Sequence, residues 1–368
     1  MKLPKHAELW VPGYLGSRLA RLRGGPKPKR LWVAITDHYE PMGGNVTLQQ
    51  GMARVEHWQR RWPEIAAAAP RDAAGSAPKY TFFYPQEEYQ RPVVAALEVM
   101  VRAGIADVDV HLHHDDDTNA GFLHKVTEFT KRLHGDHGFL RHHAGRLVFG
   151  FIHGNWALDN SLPGGRRCGV VGELQALRDL GCYADFTMPS LPSPAQGGRV
   201  NRIFWTAGDP AKPRGFDRGI DATPGGGVQG NGILMVPGPL GLRFRERLMP
   251  RIEAGELAVY DAPTPYRVER WLDLAPRLGE DIFLKLYGHT AREDNAGALL
   301  GSAPGSGTLE PMFRAIHTAA AQRGLELHWA SAYEMFCAVE RIAAAPGTPL
   351  LHPPLQAAAS ITQEPVSA

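Results

Sequence analysis

Short apolar runs that alternate with amphipathic stretches of roughly ten residues or more constrain this chain more than any other feature. The runs read as strands at residues 31–36, 79–84, 108–111, 147–152, 183–187, 202–205, 233–236, 282–286 and 326–329. Helical periodicity fills the intervals at 54–68, where Trp58 and Trp62 lie one turn apart, and at 92–103, 121–133 and 172–180. It returns at 241–254, 265–274, 310–323 and 332–343. Strands separated by helices of that length imply βα units around a parallel sheet. With this many units the sheet can close into a barrel, whose site is built from loops at the carboxyl ends of the strands.

The expectation is therefore an α/β protein with one domain over residues 31–345. A basic extension (1–30) precedes it, and a Pro-, Ala- and Ser-rich tail (346–368) with a disordered composition follows. Residues 191–198 and 206–232 are rich in Gly and Pro and read as surface loops. The extension carries eight Lys or Arg against one Glu, with Leu9, Trp10, Tyr14, Leu15, Leu19 and Leu22 interleaved. It reads as a helix packed on the domain's own surface. The alternative is a peripheral membrane contact through residues 1–25.

Composition excludes several classes. A formal charge of +2 over 368 residues gives no case for nucleic acid. Three cysteines, Cys168, Cys182 and Cys337, are too few and scattered for a disulfide framework or a cysteine-based zinc site, and read as small buried residues. No apolar run approaches the roughly 20 residues of a membrane span, and the start MKLPKHAELW does not read as a signal peptide. A cytoplasmic protein is expected.

The 16 histidines are more telling because they cluster. Residues 107–118 read DVDVHLHHDDDT, and strand alternation turns His111, His113 and Asp115 to one side. The first strand ends in Thr36-Asp37-His38-Tyr39-Glu40-Pro41. The fourth ends in His153-Gly154-Asn155-Trp156, with Asp159 close behind. The run at 282–286 leads into Tyr287-Gly288-His289-Thr290. Parallel strands all end at one rim, so these polar ends converge, and imidazole with carboxylate at that density suits a divalent metal such as zinc. The pairs His134-His137 and His142-His143 lie in a Gly- and Arg-rich stretch and read as solvated.

The order of these elements resembles the polysaccharide deacetylase family (carbohydrate esterase family 4), a distorted (β/α) barrel. Ile35-Thr36-Asp37-His38 stands where the family has a strand ending T-F-D-D. Tyr80-Thr81-Phe82-Phe83-Tyr84 follows as its A-T-F-F-V strand, and Val110 to Asp115 as its H-x-x-x-H segment. Residues 173–181 (ELQALRDLG) correspond to a later helix, and 283–289 (FLKLYGH) to the strand before its catalytic histidine. The likeness spans roughly residues 30–340. Two positions exchange type: His38 replaces the family's second Asp, and Asp115 its second His. The family's R-x-P motif is absent, with His153 to Asp159 in its place.

The resemblance implies a metal-dependent hydrolase that removes an acetyl group from an N-acetylated sugar or polysaccharide. Asp37 would be the general base and His289 the acid. His38, His111 and Asp115 would bind the metal, with His113 or His114 as alternatives to Asp115. His153, Asn155, Trp156 and Asp159 would line the substrate. A glycoside hydrolase using Asp37 with Asp115 or Asp159, another amide or ester hydrolase, and a non-catalytic sugar-binding relative are the competing expectations. Neither the sugar nor the oligomeric state is legible.

Overall fold

The computed structural model describes residues 3–345 apart from 144, 228–230 and 246–248, so the expected tail lies outside the described residues. The apolar runs hydrogen-bond into one mainly parallel sheet. Its strands are β1 (Arg30–His38), β2 (Tyr80–Pro85), β3 (Ala106–Leu112), β4 (Arg146–His153) and β5 (Cys182–Asp185). The shorter β6 (Phe204–Thr206) and β7 (Ile233–Met235) precede β8 (Asp281–Gly288) and β9 (Glu326–Trp329). The spatial order runs β8-β1-β2-β3-β4-β5-β7-β6. β1 serves three neighbours: residues 30–35 pair with β8, residues 30–33 with β9, and residues 36–38 with β2.

Alternation along β1 separates two cores. Leu31, Val33, Ile35 and Tyr39 pack outward with Val55, Trp58 and Trp62 of helix α2 (Leu48–Ala68). Ala34 points the other way, into a core with Phe83, Ile152, Ala184, Phe186 and Phe283. α2 begins with a reciprocal cap: Thr47 Oγ1 accepts from Gln50 N (3.3 Å) and Gln50 Oε1 from Thr47 N (2.9 Å). Its two tryptophans are fully buried against Tyr80, each worth roughly 2–3 kcal/mol of burial.

The sheet is curled. β8 and β5 stand five places apart in the strand order, which on a flat sheet is roughly 24 Å at about 4.8 Å per step. Yet Lys285 Nζ on β8 donates to the carbonyls of Phe186 (2.5 Å) and Met188 (3.0 Å) just beyond β5.

Helices cover the outer face. They include α3 (Asn119–Gly135) beside β3, α4 (Glu173–Leu180) beside β5 and β7, then α5 (Pro265–Leu274), α6 (Glu293–Leu300) and α7 (Leu309–Gln322), whereas α8 (Ala332–Ala343) packs Met335 and Val339 into the core that holds Ala34. The extension forms α1 (Ala7–Leu22) and does pack on the domain: Trp10 is buried with Val200 and Leu240, and Arg21 Nη2 donates to Leu274 O at 2.8 Å. Its Leu15, Leu19 and Leu22 stay exposed. Among the described residues no helix is long and apolar enough to cross a membrane.

Two helix expectations are corrected. Residues 92–103 form two short helices, Arg91–Ala95 and Glu98–Arg102. Residues 241–254, expected as a helix, carry the antiparallel strands Gly241–Arg245 and Met249–Glu253. The tie is tertiary: Arg243 pairs with Glu253 (3.0 Å) and Asp261 (2.6 Å), and Arg267 of α5 clamps the same Glu253 at 2.7 Å. His137, expected in solvent, is buried between Tyr89 (3.0 Å) and Glu98 (3.2 Å).

Candidate metal centre

Three strand ends deliver imidazoles to one place. His38 closes β1, His111 lies in β3 with His113 just past its end, and His289 follows β8. Glu40, two residues beyond His38, projects among them. Its Oε1 lies 3.4 Å from His111 Nε2, 3.5 Å from His113 Nε2 and 3.9 Å from His289 Nε2. Oε2 is 3.3 Å from Arg292. The His38 ring stacks on His289 (centroids 4.5 Å apart) and meets His111 at 4.7 Å. Two groupings of metal-capable atoms result, Glu40-His111-His113 and His38-Glu40-His289. Side-chain exposures of 31% at His113 and 23% at His289, against 0% at His111, make this an open cup.

The first grouping fits a cation well. His111 Nδ1 donates to Ile152 O at 3.0 Å, since a carbonyl can only accept. Its Nε2 therefore faces the Glu40 carboxylate, and the pair repels unless a proton or cation lies between. A charge-assisted hydrogen bond would close to about 2.7–2.9 Å. Two ligands of a tetrahedral zinc, each roughly 2.1 Å from it, stand about 3.4 Å apart, which matches the spacing found. His113 is presented in the same way, with Nδ1 bound to Glu87 and Nε2 toward Glu40. A partner on Nδ1 that aims Nε2 is how metal-binding histidines are usually fixed.

Burial pushes His38 well below the imidazole range and His289 to about 4, so both rings are neutral at neutral pH. Burial alone would raise Glu40, but a proton shared with His111 and the charge that the surrounding imidazoles carry once protonated hold it at about 2. Burial lowers His113, but the hydrogen bond with Glu87 and the nearby charges of Glu87 and Glu40 raise it above the ordinary imidazole value, so a cation bound there would displace a proton.

The other expected site residues are placed differently. Asp115 does not join the cup: its carboxylate accepts from Arg167 N at 2.5 Å on the surface, and Glu40 is the carboxylate that stands among the imidazoles. Asp37 turns to the opposite side of β1 from His38, as alternation requires. Its carboxylate accepts from Thr290 Oγ1 (2.7 Å) and Thr290 N (3.2 Å), and burial raises it to about 7. Asp37 thus anchors the residue next to His289. Trp156 stands half-buried beside the cup, its ring 6.2 Å from His289 and 6.5 Å from His38.

His153, Asn155 and Asp159 instead belong to a separate buried group around Glu173 under α3 and α4. The aspartates of β3 are structural. Asp107 holds Arg141 (2.5 Å), and Asp109 accepts from Tyr183 Oη (2.5 Å) and Gly150 N (2.6 Å).

Glu40 is the residue sequence reasoning missed. The available signal was its spacing of two from His38, which keeps both on one side if the extended backbone continues past β1. No family model matches this chain, and no curated protein matches it either.

Proposed function

We propose that this chain is a metal-dependent hydrolase that removes the acetyl group from an N-acetylated sugar or its polymer, on a distorted (β/α) barrel. The observation that carries the reading is the cup itself, where Glu40 meets four imidazoles from β1, β3 and β8 at one rim of a parallel sheet. The barrel is supported by the curl that lets Lys285 reach the end of β5. Glu40, His111 and His113 are assigned as ligands, because their spacing and their partners on Nδ1 suit zinc. Two imidazoles and one carboxylate leave a position open for substrate.

A bound zinc would supply an acidified water and polarise the acetyl carbonyl. The protein's own groups do the rest. His289, 3.9 Å from Glu40, is the proton carrier that serves the leaving amine. His38 supports its ring by stacking. Asp37 fixes the same loop through Thr290, a positioning role in place of the base first expected. Trp156 offers a flat apolar face at the cup's edge, suited to a pyranose ring. The carboxylate pairs a glycosidase would need are less well supported: Asp37, Asp115 and Asp159 are bound to Thr290, Arg167 and Gly215 in separate places. The exposed leucines of α1 leave a face that a peripheral membrane contact would use.

The test is acetate release from a panel of N-acetylated oligosaccharides, with metal content measured in parallel. Wild type should release acetate and carry metal, and Glu40→Gln should do neither through this cup. A fully active metal-free protein, or reducing ends released without acetate, would overturn the reading.

A further inference from the structure

The group around Glu173 is the second concentration of ligand-type atoms in the described residues, and the open cup has no use for it. His114 follows β3, His153 ends β4, Cys168 lies in the loop before α4, and Glu173 opens α4. All four are buried, and one donor atom from each falls within 4.8 Å of the others. Glu173 Oε1 lies 3.1 Å from His114 Nε2 and 3.8 Å from His153 Nε2, while Oε2 is 3.3 Å from Cys168 Sγ.

His153 is what makes the group unusual. Its side chain is fully buried, and neither ring nitrogen has a hydrogen-bond partner among the described residues. Buried polar atoms are nearly always paired, and an imidazole with both nitrogens idle needs an explanation. The ring sits on the face of β4 that carries Phe149 and Phe151, so no solvent reaches it.

The surroundings hold the ligands in place. Asn155 Nδ2 donates to His114 O at 2.8 Å, and Asp159 N donates to Glu173 Oε2 at 2.6 Å. Asn160 ties down the Cys168 loop through Gly169 N (2.9 Å) and Val170 O (2.8 Å). Gly169 has φ +93, and a Cβ there would strike the Asp117 backbone at 2.5 Å, so the loop is fitted closely.

We propose that His114, His153, Cys168 and Glu173 form a second, closed metal site that takes zinc and serves to hold the fold together. Four protein donors with no open position are the mark of a structural site, and a thiolate with imidazoles selects zinc over magnesium or calcium. Each ligand comes from a different segment, so one ion would join β3, β4, the loop and α4. This site is independent of the reading given for the cup. Loading it would release the Cys168 thiol proton to solvent and move the His114 proton from Nε2 to Nδ1, on the side of Asp117 (3.6 Å).

The decisive property is the cysteine, because the cup contains none. Full-length protein produced in cobalt-supplemented medium should show an intense thiolate-to-cobalt charge-transfer band in the near ultraviolet. Cys168→Ser should abolish the band, and Glu40→Gln should keep it. Cobalt-loaded wild type without the band, or a band that survives Cys168→Ser, would overturn the proposal. The wild-type spectrum alone decides this if the variant fails to fold.

Discussion

The two histidine groups at this rim are nearly the same in composition and opposite in setting. In each, one glutamate oxygen faces two imidazole Nε2 atoms, at 3.4 and 3.5 Å for Glu40 and at 3.1 and 3.8 Å for Glu173. Around Glu40 the side chains of His113 and His289 reach solvent; around Glu173 both imidazoles and the carboxylate are fully covered, and a thiol joins them. Donor chemistry alone therefore does not separate a reactive centre from a structural one. Access does, and access is set by which face of the strand a residue occupies. His111 and His113 project from one face of β3 toward the cup. His153 projects from the face of β4 that α3 and α4 cover.

The sharpest way to break this contrast is Glu40→Gln. Acetate release should fall about a thousandfold or more, of the order lost with a central acid–base or metal-activating group. Thermal stability should fall less than on loss of Cys168, because Gln keeps the size of Glu40 and the cup opens to solvent through His113 and His289. A large drop in midpoint with little loss of activity would reverse the roles assigned to the two groups.

Cys168→Ser should do the converse. Removing one member of a buried, mutually dependent set is expected to cost about 3–5 kcal/mol in denaturant unfolding, with activity of the folded fraction retained. A stability change near zero would argue against an ion at that site.

Asn155→Ala probes the support rather than the ligand. Loss of the bond to the His114 carbonyl should weaken metal retention in a chelator competition by about 10–100-fold, the usual effect of such second partners. Unchanged retention would remove Asn155 from the description.

Asp37 offers a finer discrimination. If it acts through Thr290, then Thr290→Val and Asp37→Asn should both lower kcat by similar factors with KM little changed. An inactive Asp37→Asn beside a nearly normal Thr290→Val would restore the general-base role instead.

The smallest effect expected is on pH dependence, at a lysine that belongs to neither group of ligands. Burial lowers Lys285 to about 7, opposed by Asp185, while its unfolded value is about 10.5. Between about pH 7 and 10.5 the unfolded chain binds the extra proton, so this group makes stability rise with pH. Lys285→Met should flatten that rise in unfolding curves, and a steeper rise would contradict it.

Much of the frame was legible because it rests on local periodicity. The strands ending at His38, His153 and Gly288, and the α4 pattern, need only short-range alternation to be recognised. The segment 241–254 was not legible, since apolar spacing there suits a helix as well as a strand. What settles it is Glu253, buried between Arg243 of the same hairpin and Arg267 and Trp271 of α5. Asp115 failed as a ligand for a related reason. Strand alternation puts it on the side of His111, but the chain leaves β3 after Leu112 and Asp115 caps the backbone at Arg167 instead.

The sequence by itself determined that several strands end in His and acidic residues, and parallel order guarantees that such ends share a rim. Only the tertiary structure decided the partition. Glu40 enters the cup because the backbone past β1 keeps it beside His38. His114 leaves its neighbours because α3 and α4 bury it with Cys168 and Glu173, which lie more than fifty positions further along. Periodicity fixes the side from which a residue leaves a strand; what covers that side depends on contacts between segments that no local pattern encodes.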